Sequence, residues 1–196
     1  EYESRMGFKI EEGKPLGQFF GLIYDGIYTT DDFVQNADGG YTLKDGIPYL
    51  KGSNRENVKP GDAKYRPTAG ADGNPVWGTN DRTVIGNAAP DFIGGWNNTF
   101  TYKGFDLTIF MNFVVGNDVF SMSTQRFIGP YLANQNTLEK MKNRFTLIDP
   151  LTGKESTDLA RLAALNPHQY SGDALWNISG NNKTAISERS SYYLED

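Results

Sequence analysis

The residues whose types and spacing suit metal chemistry are Asp72, Asn74 and Asp81, in a polar stretch of the chain. Carboxylate and amide oxygens at short spacing are ligands that calcium accepts. The pattern departs from an EF-hand loop because Val76 stands where an acidic residue is needed. These three residues are the candidate ligands for calcium, and we predict no other cofactor. The interpretation we favour is a turn whose side chains bond their own backbone.

Two aromatic residues lie in or near this stretch, Tyr65 and Trp77. Their rings are candidates for ligand contact by stacking on a sugar, but packing beneath a long loop is the commoner role of such residues. Asp62 and the pair Asp81-Arg82 are predicted to orient the loop through turn contacts and ion pairs.

The sequence offers no catalytic constellation, and we predict that the chain is not an enzyme. His168 is the single histidine, no nucleophile motif accompanies it, and we expect it on an exposed loop. The adjacent pairs Glu11-Glu12 and Asp31-Asp32 have nothing that places them across a scissile bond. Zero Cys excludes thiolate catalysis and Cys-based zinc sites.

Composition favours strands joined by long loops. The chain has 22 Gly, 11 Tyr and 12 Phe among 196 residues, with a mean hydropathy of -0.55. The net charge is -5 and no stretch concentrates Lys or Arg, so nucleic-acid binding is disfavoured. No run of about 18 apolar residues occurs, which excludes a transmembrane helix but not membrane strands of ~10 alternating residues.

The most regular pattern lies between Phe92 and Val115. Apolar residues occupy every second position of the later run: Phe105, Leu107, Ile109, Met111, Phe113 and Val115. The earlier run places a second set on one face: Phe92, Gly94, Trp96, Asn98, Phe100 and Tyr102. With Tyr102-Lys103-Gly104 as a short turn, the two runs predict a β-hairpin. Each arm has the ~10–11 residues that a tilted membrane strand needs.

The rest of the chain is predicted to be mainly loop. The stretch from Asp31 to Asn87 is polar and rich in turn signals such as Asp38-Gly39-Gly40. Short helices are predicted at Asn136–Phe145, with Asn136 as N-cap, and at Asp158–Leu165.

A series of short motifs then resembles the SusC/RagA-type TonB-linked (TonB-dependent) outer-membrane transporters of Bacteroidetes. The motifs occur in the family's order: Gly13-Lys14-Pro15-Leu16-Gly17, Tyr24-Asp25-Gly26-Ile27-Tyr28, Gly61-Asp62-Ala63-Lys64-Tyr65, Asn80 to Asn87, Pro90-Asp91-Phe92, Tyr102 to Leu107, Gly116-Asn117-Asp118 and Ser191 to Asp196. The resemblance covers most of the chain and is densest from Gly61 to Asp118.

This resemblance implies an all-β chain that is a late part of a large antiparallel transmembrane barrel of about 22 strands, with long extracellular loops and one or two short loop helices. The membrane hairpin would span about 90–116, with extracellular loops at about 31–88 and 117–196. The odd-numbered positions of the second arm would then face lipid, and Asp106, Thr108 and Asn112 the barrel interior. Because the chain begins at Glu1 without Met or signal peptide, we expect an excerpt of a longer protein that carries the plug domain and the barrel ends.

The implied function is nutrient uptake at the bacterial outer membrane, on the cell surface. A TonB-type coupling protein would supply energy through another part of the chain, and a SusD-type surface lipoprotein would close over the loops. The substrate would be an oligosaccharide or a peptide, and the sequence does not discriminate between them. A different class remains open, a secreted soluble carbohydrate-binding β-sandwich, which would have strands of 5–6 residues at regular spacing.

Overall fold

A computed structural model describes residues 2–3, 8–50, 54–67, 76–129, 134–178 and 189–195. These parts of the chain are mostly β-strands and loops, which confirms the all-β class. The strands before the long hairpin are β1 Tyr2–Glu3, β2 Phe8–Ile10, β3 Gln18–Gly21, β4 Tyr24–Ile27, β5 Phe33–Gln35, β6 Tyr41–Leu43, β7 Tyr49–Leu50, β8 Ala63–Tyr65, β9 Val76–Trp77 and β10 Thr83–Asn87. The later strands are β11 Phe92–Tyr102, β12 Phe105–Val115, β13 Val119–Phe120, β14 Ile148–Asp149, β15 Lys154–Glu155 and β16 Leu194–Glu195.

The strands form one four-stranded sheet, in the order β1-β2-β3-β10, and several two-stranded sheets. Most pairs are antiparallel, and β7 with β9 is parallel. The chain enters the long hairpin directly from β10, and β13 continues from β12 to pair with β16 near the end of the chain. The small sheet and the β13–β16 pair therefore lie at the same end of the hairpin.

The predicted hairpin is confirmed in its bounds, and the structure adds its register. Strands β11 and β12 have 11 residues each and pair without a bulge, from Phe92 with Val115 to Tyr102 with Phe105. Lys103 and Gly104 form the turn, with φ of 47° and 84°. Positive φ at both central residues is the geometry of the tight turns that match strand twist.

The helices agree with the sequence prediction only in part. Helix α2, Leu159–Leu165, begins where predicted, and the Asp158 side chain accepts hydrogen bonds from Ala160 and Arg161 N–H. The helix predicted at Asn136–Phe145 is wrong in type and bounds, because only a 3-10 helix at Glu139–Asn143 forms there.

Tertiary contacts explain that difference, since Phe145 N–H donates to Leu175 O instead of continuing a helix. Helix α1, Met122–Phe127, was not predicted, although Ser121 caps it through a hydrogen bond from Thr124 N–H. No helix in the described part of the chain is long and apolar enough to span a membrane.

The stretch from Asp31 to Asn87 contains more structure than the predicted loop. Strands β5 and β6 form a hairpin, and β8 pairs with β4 across a long sequence separation. Turn signals in this stretch therefore separate short strands.

The loops build a hydrophobic core of their own. Its fully buried members come from segments distant in sequence: Leu22, Ile27, Ala63, Tyr65, Trp77, Ile128, Met141, Phe145, Leu147, Leu162, Ala174, Leu175, Trp176 and Tyr193. A smaller cluster joins Tyr28, Phe33 and Leu43. None of these residues belongs to the long hairpin, which leaves the hairpin outside both clusters.

Candidate functional site

The long hairpin has a continuous apolar face that no described part of the chain covers. Residues directly opposite each other in an antiparallel pair point to the same side of the sheet. The register joins Phe92 with Val115, Trp96 with Met111 and Phe100 with Leu107, so the two sets predicted from the sequence form one surface, apolar except for Asn98. All residues of β12 are exposed on both faces of the hairpin, and Phe105 on the apolar face is 80% exposed.

Glycine and aromatic residues fit together on this face. Gly94 lies opposite Phe113, and a side chain at Gly94 would overlap the Phe113 ring. The ring therefore covers the glycine backbone, an arrangement that compensates for the missing side chain. Phe92 packs edge-on against Phe113 with ring centroids 5.9 Å apart.

The opposite face of the hairpin is mainly polar. Asp106 lies opposite Thr101, and Thr108 opposite Thr99, with hydroxyl oxygens 3.3 Å apart. Asp106 is thus on the face opposite Leu107, as the alternation predicted. Apolar residues occur on this face too: Phe110 lies opposite Asn97, and Ile93 lies opposite Val114 near the root. The hairpin is therefore amphipathic mainly toward its turn, and Asp106, the single charged residue of the two strands, lies on the polar side.

The root of the hairpin is held by a reciprocal contact between two loop segments. Asp118 Oδ2 accepts a hydrogen bond from Asn87 N–H at 2.6 Å, and Asp118 N–H donates to Asn87 O at 2.8 Å. Gly86 makes room for the carboxylate, since a Cβ there would lie 2.5 Å from Oδ2. Two motifs that resemble the transporter family, ending in Asn87 and Asp118, are therefore one structural unit.

Asp62 lies in a second fixed turn, within the loop core. Its carboxylate accepts hydrogen bonds from Lys59 N–H at 2.9 Å and from the Asn177 side chain at 2.7 Å. Burial raises the pKa of Asp62 to about 6, and these two hydrogen bonds partly offset that rise. The predicted turn role of Asp62 is confirmed, whereas no local pattern marks Asn177 as its distant partner.

Of the three candidate calcium ligands, Asp81 is the one that the structure describes. Asp81 is buried, and its Oδ2 accepts a hydrogen bond from Gly78 N–H at 2.7 Å, which caps the 3-10 helix at Thr79–Asp81. Asp72 and Asn74 lie outside the described residues, so the calcium site stays a prediction. Within the described ranges no group of three or more His, Asp and Glu side chains is placed to hold a metal ion.

The predicted ligand-stacking residues lie in the core. Tyr65 is 1% and Trp77 3% exposed, and their ring centroids are 4.8 Å apart in an edge-on arrangement. Tyr24 packs against Tyr65 at 6.0 Å. The burial of both rings favours the packing interpretation, and ligand contact by Tyr65 and Trp77 stays a prediction.

His168 is half-buried, which corrects the expected exposed position. Its Nε2 atom is buried and has no hydrogen-bond partner in the described part of the chain.

The adjacent carboxylates Asp31 and Asp32 both accept hydrogen bonds. Asp31 Oδ2 accepts one from the Tyr170 hydroxyl at 2.8 Å, and Asp32 Oδ2 accepts one from Thr29 N–H at 2.9 Å. Both carboxylates thus have structural hydrogen-bond partners within the chain.

Comparison with known proteins supports the resemblance that the motifs indicate. The chain is similar to three proteins of Formosa agariphila: TonB-dependent receptor P39, at 33% identity over 58% of this chain, TonB-dependent receptor P3, at 33% over 56%, and TonB-dependent receptor P26, at 34% over 32%. The chain spans only 13%, 9% and 6% of the lengths of these relatives. No family model matches the chain. The predicted resemblance to TonB-dependent receptors is therefore confirmed.

Proposed function

We propose that this chain is a segment of a TonB-dependent outer-membrane receptor, in which β11 and β12 are adjacent membrane-crossing strands. The hairpin is the observation that carries the proposal, because its 11-residue strands expose one apolar face over their full length, on which Asn98 is the single polar residue. A contiguous exposed apolar surface of this kind marks an interaction with a membrane or a partner.

The height of the apolar face fits an outer-membrane barrel. It extends over ten residue steps, from the pair Phe92–Val115 to the pair Tyr102–Phe105. At ~3.4 Å per residue and a strand tilt of ~40°, this corresponds to ~26 Å along the membrane normal. The apolar band of such barrels is ~25 Å tall and flanked by aromatic residues. Aromatic side chains also lie at both ends of this face, which supports the assignment.

The remaining features of the hairpin suit the same role. Its two-residue turn resembles the short periplasmic turns of these barrels, and the structured loops at its other end suit the extracellular side. The polar face with Asp106, Thr108 and Asn112 would point into a closed barrel. The motifs favour the SusC/RagA type, with a SusD-type lipoprotein and a TonB-type coupling protein as partners.

The receptor would import an oligosaccharide or a peptide across the outer membrane. This segment would contribute lipid-facing strands and part of the extracellular surface, and we assign it no catalytic step. A soluble carbohydrate-binding sandwich is less well supported, because the two sheet faces of the long hairpin are both exposed and the predicted stacking residues are buried.

Site-directed fluorescence quenching tests the membrane assignment. Single cysteines at Ile109 and Thr108 can carry a fluorophore in an intact receptor from which other cysteines are removed, and this chain itself has none. In liposomes that contain spin-labelled lipids, we expect strong quenching at Ile109 and weak quenching at Thr108. Equal quenching at the two positions, or recovery of the receptor outside the outer-membrane fraction of cells, would contradict the proposal.

A further inference from the structure

A cavity of about 310 Å³ lies at the root of the hairpin, where the small sheet meets the segment after β12. It is lined chiefly by Phe8, Phe19, Phe120, Met122, Asn117 and Asp118. Ligand sites in proteins are clefts of ~300–1,000 Å³ with mostly apolar walls and few polar groups. The size and lining of this cavity fit that description.

Its walls are formed by a row of aromatic rings. The ring centroids of Phe8 and Phe19 are 4.8 Å apart, and those of Phe19 and Phe120 are 6.0 Å apart. Phe19 is buried at the back of the row, whereas Met122 is 58% exposed at the opening. Binding of an apolar group that displaces water from surface of this kind is favourable, because apolar area is removed from water.

One carboxylate is fixed in the cavity wall. The hydrogen bond from Asn87 N–H holds Asp118 Oδ2, and the close approach to Gly86 restricts the carboxylate further. In the described part of the chain, Asp118 Oδ1 has no hydrogen-bond partner. The Asp118 carboxylate is therefore held in one orientation and offers its second oxygen as a hydrogen-bond acceptor.

The chemistry of the lining selects among ligand classes. A saccharide carries hydroxyl groups around its ring, and two polar side chains would leave most of them without partners, which is costly. An anionic group is disfavoured because Asp118 is negative and no cation among the described residues lines the cavity. A group with an apolar body and a cationic N–H donor satisfies both the rings and the carboxylate.

We propose that this cavity binds an apolar side chain of a peptide ligand, with Asp118 accepting hydrogen bonds from the peptide ammonium. This inference rests on the proposed receptor function and names peptide as the ligand class. The cavity lies at the root of the hairpin, which is the extracellular end of the membrane strands in the proposed receptor.

Binding to the purified intact receptor in detergent tests this site by isothermal titration calorimetry. The probes are tri-leucine, N-acetylated tri-leucine and maltotriose. Asp118→Asn keeps an oxygen that can accept the Asn87 N–H and removes the charge. Asp38→Asn is the matched control, since exposed Asp38 also accepts a backbone N–H, from Gly40 at 2.9 Å, and lies on a different loop.

We expect tri-leucine to bind, and Asp118→Asn to weaken its binding about tenfold while Asp38→Asn leaves it unchanged. The N-acetylated peptide should bind more weakly and be insensitive to Asp118→Asn. Met122→Glu at the opening should weaken the binding of both peptides. Heat-modifiable gel mobility of each variant shows that the receptor remains folded.

Three results would overturn the inference: no tri-leucine binding, binding that is indifferent to Asp118 and Met122, or binding of maltotriose in place of the peptides. Cell fractionation and uptake with and without TonB separate this outcome from failure of the proposed function. A TonB-dependent protein of the outer membrane that ignores tri-leucine would refute the cavity assignment alone.

Discussion

An arginine in place of Ile109 should destabilise the membrane-inserted receptor much more than an arginine at the adjacent Thr108. The two residues are neighbours on β12, so their side chains lie on different faces of the hairpin. On β11, Ile109 pairs with Asn98 and Thr108 pairs with Thr99. If the apolar face meets lipid, Ile109→Arg places a charge in hydrocarbon. Thr108→Arg places the same charge on the polar face, beside hydroxyl groups.

The register of the hairpin gives the depth of Ile109. Ile109 pairs with Asn98, and this pair lies four residues along the strand from the Tyr102–Phe105 pair at the turn. With ~3.4 Å per residue and a tilt of ~40°, Ile109 is ~10 Å above that end and ~3 Å from the middle of the ~26 Å band. A lipid-facing arginine near the middle costs ~2–4 kcal/mol, whereas substitutions on the lumen face cost much less.

Equilibrium unfolding of the receptor in liposomes measures this difference. Guanidinium titrations of the wild type, Ile109→Arg and Thr108→Arg give the free energies of unfolding, and Trp fluorescence reports the transition. The depth dependence supplies an internal check, because Phe105→Arg at the turn should cost only ~0–1 kcal/mol. Both arginine variants should show the same denaturant slope as the wild type.

Equal destabilisation by Ile109→Arg and Thr108→Arg would refute the assignment of the two faces. A larger cost at Thr108 would mean that the apolar face is buried against protein or that the hairpin is inverted. A cost at Phe105 as large as that at Ile109 would refute the estimated depth.

Three further predictions concern glycine packing and a buried carboxylate. Gly61→Ala should destabilise the loop core by about 2 kcal/mol in thermal or chemical unfolding, because Gly61 has φ +81° and its Cβ would overlap the Phe145 ring. Gly94→Leu should displace the Phe113 ring and cost about 1 kcal/mol of hairpin stability, which the liposome titration would detect. Asp62 has a folded-state pKa of about 6, above its ordinary value of 3.8, so the folded state binds the proton more tightly than the unfolded state. The stability that protonated Asp62 contributes should therefore fall as the pH rises from about 4 to 6. Melting curves of the receptor at several pH values should lose that component in Asp62→Asn, and an unchanged pH dependence would contradict the role of burial.

The hairpin could be predicted from the sequence because its information is local. Alternation at period 2 fixes which residues share a face, and the two-residue turn at Lys103-Gly104 sets the register between the strands. The apolar pairs, the polar face with Asp106 and the bounds of both strands follow from those two features. Helix α2 was predictable for the same reason, since Asp158 caps a short helix-forming run.

The loop core depends on contacts that the sequence does not display. Tyr24 pairs with Tyr65, and Leu22 N–H donates to Arg189 O at 2.8 Å, across most of the chain. No local period or spacing marks such partners. Tyr65 and Trp77 therefore suggested ligand contact, whereas the tertiary structure places them against each other in the core.

Asp62 and Asp118 show the same division between sequence and structure. Their turn motifs, Gly61-Asp62 and Gly116-Asn117-Asp118, were evident from the sequence and indicated the family. Only the folded chain brings Asn177 to Asp62, and Asn87 to Asp118. The sequence determined where the backbone turns, because glycine and aspartate act on neighbouring residues. The tertiary structure decided which carboxylate is buried and which lines a cavity, because both depend on segments that only folding brings together.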